Sequence, residues 1–132
     1  MSTYEIASVL QDDAEITTVK MSGQAERPNI IALLTELQDL ARVRGSLRVL
    51  IDETDMKPGL MGFNDIHEIV SDWRSGAGLL SSRIAVIAVN PFVRGLNQMF
   101  RIAANLEGRA SVNAFSKRSD ALAWLMQEGT AP

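Results

Sequence analysis

Three helix-length amphipathic stretches separate four short apolar runs, and that alternation constrains the fold more than any other property of the chain. The runs are Glu15–Met21, Leu47–Asp52 (LRVLID), Ile84–Val89 (IAVIAV) and Ala110–Phe115. Between the first two, Pro28 suits an opening helical turn, where a missing N–H costs nothing. Ile30, Ile31, Leu33, Leu34, Leu37, Leu40 and Ala41 then recur at helical spacing until Gly45, a plausible cap. Phe63–Trp73 repeats the pattern with Phe63, Ile66, Ile69, Val70 and Trp73. Asn90-Pro91 starts the third stretch, joining a capping side chain to a proline at the first helical position. Its inner stripe is Phe92, Val93, Leu96, Met99, Phe100 and Ala103. Strands joined by helices have to run parallel, which fixes the direction of all four runs.

The ends of the chain complete the pattern. Tyr4–Leu10 alternates with the period of a strand, and the turn-like Gln11-Asp12-Asp13-Ala14 is too short for a crossover. Residues 4–21 are therefore expected to form a hairpin, broken at Gly23. After Phe115, Ser116 is expected to cap a last helix whose inner positions are Ala121, Leu122, Leu125 and Met126. The fold class is α/β, in the order β-β-α-β-α-β-α-β-α. It is a five-stranded, mostly parallel sheet with an antiparallel N-terminal edge strand, in one domain over residues 1–132. IAVIAV is expected to be central and covered on both faces. Thr54–Gly62 reads as a loop and Ser75–Ser82 as a flexible connector.

Composition removes several functions. The net charge of −3 argues against a nucleic-acid binder, which needs surplus Lys and Arg. Cysteine is absent, so disulfides and thiolate metal sites are excluded. No apolar run approaches the roughly 20 residues that span a bilayer, and the acidic start lacks the form of a signal peptide. A cytoplasmic location is the expectation. The charge is unevenly spread: residues 1–72 hold thirteen acids and six bases, and residues 73–132 hold three acids and seven bases. This reads either as solvated helix faces or as a basic edge that attracts an anion.

From RVLID through RIAVIAVNPFVRGL to NAFSKRSDALAWL, the chain resembles the STAS-like domains. More narrowly, it resembles their stand-alone bacterial members, which are related to anti-sigma-factor antagonists and, in fold, to CRAL-TRIO lipid-binding domains. The ending carries most of the likeness: Phe115 at a strand end, polar residues, then Ala121-Leu122-Ala123-Trp124-Leu125. The resemblance implies a β-α superhelix, homodimerisation, and an apolar or lipid-like ligand. One departure stands out. Antagonists of this kind are switched by phosphorylation of a serine at the start of the helix after the third strand, and Asp52–Asp65 (DETDMKPGLMGFND) holds none.

Candidate sites gather where the parallel strands end, because ligands of open α/β sheets bind outside the carboxyl ends of strands. Asp52, Asn90 and Ser116 mark that edge. Arg94 and Arg118, near helix starts, could hold a carboxylate or phosphate, or could simply be exposed. Met56, Leu60, Met61 and Phe63 make the 54–63 loop unusually apolar. It reads as a lid over an apolar ligand, as half of a homodimer contact, or as plain packing onto the sheet. The proposed ligand set is Met56, Met61, Phe63, Asn90, Phe92, Arg94 and Ser116, in a regulatory binding module that is not an enzyme. No metal or cofactor is expected. His67, the only histidine, has no nucleophile or ligand partner that spacing identifies. The alternative is a phosphorylation-dependent, receiver-like domain acting at Asp52, with Asp12 and Asp13 as metal ligands and Lys117 on the phosphoryl group. The loop VLIDETDMKPGLMG favours it. The opening hairpin, and Asn90-Pro91 where Ser or Thr should stand, oppose it.

Overall fold

The computed structural model describes residues 3–24, 26–57, 64–65, 68, 82–90 and 111–127. Its elements are β1 (Thr3–Gln11), β2 (Ala14–Gln24), α1 (Arg27–Arg44), β3 (Arg48–Lys57), β4 (Arg83–Ile87), β5 (Ser111–Phe115) and α2 (Arg118–Leu125). One five-stranded sheet contains all the strands in the order β1-β2-β3-β4-β5. β1 pairs antiparallel with β2, and β2, β3, β4 and β5 run parallel, the directions that the expected crossovers call for. Asn64, Asp65 and Glu68 are helical, inside the second expected helix. His67, the inner stripes of the second and third expected helices, and the 75–81 connector lie outside the described residues.

The hairpin turns through Asp12 and Asp13, which close on the Gln11–Ala14 pair with φ of 50° and 67°. A two-residue turn between right-twisted strands needs left-handed backbone, which aspartate tolerates but Asn-Gly adopts more readily. Replacing Asp12 with Asn and Asp13 with Gly is expected to raise stability by about 1 kcal/mol, read by urea unfolding. An unchanged or lower midpoint would show that the turn carries no strain.

β2 and β3 are each longer than the sequence pattern predicts. β2 continues through Gly23, which takes φ 86°, to Gln24. β3 runs to Lys57, so Thr54–Lys57 is strand where a loop is expected. The reason is a bulge. Lys20 pairs with Asp52 and Ser22 with Asp55, so Glu53 and Thr54 together face Met21 alone. The extra residue reverses the alternation of side chains. Val49 and Ile51 point to the α1 side, and beyond the bulge Met56 does so in place of Asp55.

The sheet is covered from both faces. On one, Leu33, Leu37 and Ala41 of α1 pack against Val19, Met21, Val49, Ile51, Ile84 and Val86. On the other, Ala121 and Leu125 of α2 pack against Ile16, Leu50, Ala85 and Ile87. β4 is buried along its whole length, as expected, but it is not the central strand: it lies fourth of five, between β3 and β5, and it ends at Ile87 and not at Val89. Ser82 knits the amino ends together. Its hydroxyl accepts the Leu47 N–H at 2.9 Å and its carbonyl accepts the Ser111 N–H at 3.0 Å.

α1 begins at Glu26 without a side-chain cap, with Pro28 in its first turn. It ends on Gly45, whose N–H donates to the Ala41 carbonyl at 2.7 Å. It lies along β1. The Tyr4 hydroxyl donates to Glu36 Oε1 at 2.6 Å, and Arg44 donates to Ser8 Oγ at 3.0 Å and pairs with Glu15. The hydrogen bond to Glu36, then burial and the carboxylate's charge, push the Tyr4 pKa from 10.0 up to about 12. A folded-state pKa raised above the unfolded one adds stability below pH 10 that is lost as pH rises toward 12. Tyr4 is the only tyrosine, so tyrosinate absorbance reports it directly. Glu36→Gln is expected to bring the midpoint down toward 10.0. A midpoint already there in the parent chain would dissolve the contact.

Candidate functional site at the carboxyl rim

The parallel strands end on one rim but not at one height. Ile87 of β4 pairs with Asp52 on one side and Phe115 of β5 on the other. Ala88 adds one further bond, its N–H donating to the Phe115 carbonyl at 3.0 Å. β2 and β3 continue as a two-stranded ribbon through Gln24 and Lys57, about 15 Å further at about 3.3 Å per residue. Among the described residues no strand pairs with the β4-facing edge of that ribbon. The rim is therefore stepped, with the ribbon as riser and the ends of β4 and β5 as tread.

On the tread, Val89 is 50% exposed, an apolar side chain where the central strand was expected to be covered. Asn90 is half-buried beside it, and Ser116 is exposed at the end of the adjacent strand. Asn90 and Ser116, far apart in sequence, thus stand at neighbouring strand ends, as the parallel order predicts. Ser116 is not the helix cap. Lys117 takes the cap position of α2, with no side-chain hydrogen bond, and leaves the serine hydroxyl outside the helix. Lys117 and Arg118 open α2, exposed, on the same rim.

Met56 is at the far end of the ribbon but only 4% exposed, packed in the α1-side cluster with Met21 and Ile51. Of the three roles the sequence allows its segment, Met56 takes packing onto the sheet. Met61, Phe63, Phe92 and Arg94 lie outside the described residues. Val89 is the rim residue that sequence reading misses. The available signal is its place directly before Asn90-Pro91, the expected helix start, where a strand has to release its last side chain.

Asp52 is not at a strand end but in mid-β3. The ammonium of Lys20 lies 3.5 Å from its carboxylate and 3.1 Å from that of Asp55, both acids being brought to one face by the bulge. The Thr54 N–H donates to Asp52 Oδ1 at 2.9 Å. Burial is the largest influence on this carboxyl and pushes its pKa up. Hydrogen bonds from Thr54 and the charge of Lys20 together outweigh it, so Asp52 titrates below its ordinary value. The stability it adds is present at neutral pH and lost on acidification through its own titration. Asp12 and Asp13 belong to the other rim. Asp13 is seven residues upstream of Lys20, the partner of Asp52, or about 23 Å along β2. They cannot share a metal with Asp52, and among the described residues no three acidic or histidine side chains form a metal set. The strand order also departs from the 2-1-3-4-5 of receiver domains.

No protein-family profile and no functionally curated protein matches the sequence. In three dimensions the chain is similar to an uncharacterized protein of the DUF3478 family from Shewanella loihica PV-4, described as having a SpoIIAA-like fold. The TM-score is 0.64 and the identity 16%, covering 95% of each chain. At that identity the likeness speaks for the fold alone. Among the described residues no helix is long and apolar enough to cross a membrane.

Proposed function

With a SpoIIAA-like, STAS-type fold as premise, we propose that the chain is a non-enzymatic regulatory module that holds a small apolar-anionic ligand at its stepped carboxyl rim. The observation that carries this reading is the exposed Val89 beside Asn90 and Ser116, with Lys117 and Arg118 at the adjoining helix start. An alkyl group on Val89 recovers apolar surface otherwise left in water. A carboxylate or phosphate finds hydrogen-bond donors in the amide and hydroxyl, and positive charge in Lys117 and Arg118. Met61, Phe63, Phe92 and Arg94, which lie outside the described residues, are the further ligand contacts this reading calls for, whereas Met56 is packed in the core and is not one of them.

The test is a titration of the isotope-labelled chain with decanoate, followed by amide chemical shifts. Shifts at Val89, Asn90, Ser116 and Lys117, weakened in Lys117→Glu/Arg118→Glu, are the expected result. Shifts confined to other surfaces, or none at saturating decanoate, overturn the reading. Native mass spectrometry of freshly purified protein supplies the second readout, since a retained small molecule adds a fixed mass to the chain.

A further inference from the structure

β1 is the edge of the sheet, and its outer side has no partner among the described residues. The two-residue turn makes Gln11–Ala14 a hydrogen-bonded pair, so the odd-numbered residues of β1 direct their N–H and C=O groups to β2. Tyr4, Ile6, Ser8 and Leu10 therefore point theirs outward. Sheet edges of this length are ordinarily guarded by lysine, proline or a bulge. Thr3–Gln11 has none of these, and Glu5 is its only charge. Leu10 is 77% exposed on this strand. Val43 is 85% exposed on α1, two helical turns after Glu36, on the flank that overhangs β1 through the Tyr4–Glu36 and Ser8–Arg44 contacts.

We propose that β1 is a self-pairing surface, on which two copies of this chain join antiparallel about a two-fold axis at Ala7 to form one continuous sheet. Self-complementarity makes a second copy the fitting occupant. In the register centred on Ala7, Tyr4 pairs with the partner's Leu10 and Ile6 with the partner's Ser8. Every outward backbone group of the four residues is then satisfied, whereas any shifted register leaves some unpaired. No like charges meet, because Glu5 falls opposite the partner's Val9. The axis passes one residue from Ser8, hence beside the α1 turn that carries Val43, and brings that side chain toward the partner's Val43. The pairing goes beyond the rim reading and holds whether or not the rim binds a ligand.

Sedimentation equilibrium of the full chain tests it. The parent is expected to be a dimer at micromolar concentration. Ser8→Pro removes one outward N–H at an edge position where proline is tolerated, and is expected to be monomeric with an unchanged circular dichroism spectrum. Ser8→Ala loses the hydroxyl that Arg44 contacts but keeps the N–H, and is expected to remain a dimer. Val43→Asp leaves β1 intact and is expected to weaken association about tenfold. A monomeric parent overturns the proposal. So does a dimer whose affinity is unchanged by Val43→Asp, which decides the matter even if Ser8→Pro fails to fold.

Discussion

Replacing Arg83 with alanine is expected to lower the unfolding free energy by about 3 kcal/mol, from hydrogen bonds to a charged group together with a cation–π contact. Arg83 opens β4 and is only 8% exposed. Its guanidinium donates to the Trp124 carbonyl at 2.9 Å and the Gln127 carbonyl at 3.2 Å, and lies 5.7 Å from the centroid of the Trp124 ring. The Trp124 carbonyl, which also accepts the Gln127 N–H at 3.3 Å, lies in the last turn of α2 and the Gln127 carbonyl just beyond it, where the helix dipole is negative. One side chain thus joins the start of β4 to the end of the last described helix. α2 has eight residues and no side-chain cap, so it depends on such anchoring. Arg83→Lys keeps the charge without the planar fork and is expected to cost about half as much. Urea unfolding followed by tryptophan fluorescence reads both. A loss below about 1 kcal/mol for the alanine variant would place Arg83 with ordinary surface pairs.

Leu37→Ala is expected to cost about 3–4 kcal/mol, the transfer free energy of the lost atoms plus a cavity. Leu37 is 0% exposed, midway along α1, in the cluster that covers the larger apolar face of the sheet. The start of α1 adds little to that stripe, since its N-cap makes no side-chain bond and its first turn has no acid. Leu37→Met nearly preserves volume and is expected to cost under about 1.5 kcal/mol. Equal losses for the two variants would mean that shape at this position, and not the volume filled, sets the stability of the helix.

The helices that the structure describes were legible because amphipathic spacing survives tertiary context. The stripe of α1 lies on the sheet as its periodicity predicts, and Gly45 ends it with the left-handed backbone that glycine favours. The hairpin was legible from a spacing too short for a helix. β3 was not, beyond Asp52. Glu53, Thr54 and Asp55 carry no alternating apolar signal, and a bulge erases the period by design. Its only trace in the sequence is Met56, which looks like a loop residue until the extra position turns it into the core. Gln38 was also hidden. It is buried on α1, and among the described residues its amide nitrogen has no hydrogen-bond partner, against the ordinary preference of its type. At the rim, Asn90 and Ser116 could be placed from topology alone. The exposure of Val89 was missed, because its one local signal, the place directly before Asn90-Pro91, does not say which residue of the apolar run is the last one covered.

The sheet's neighbours in space are its neighbours in sequence, each strand lying beside the one before it and none inserted between earlier pairs. Every pairing can then be made once the latest segment is synthesised, with no gap held open for a later one. Closure entropy is met in small instalments, so assembly from the hairpin toward α2 follows the direction of translation. Chains halted after β3 or β4 would expose a fresh strand edge at one boundary only, which limits their routes to mispairing.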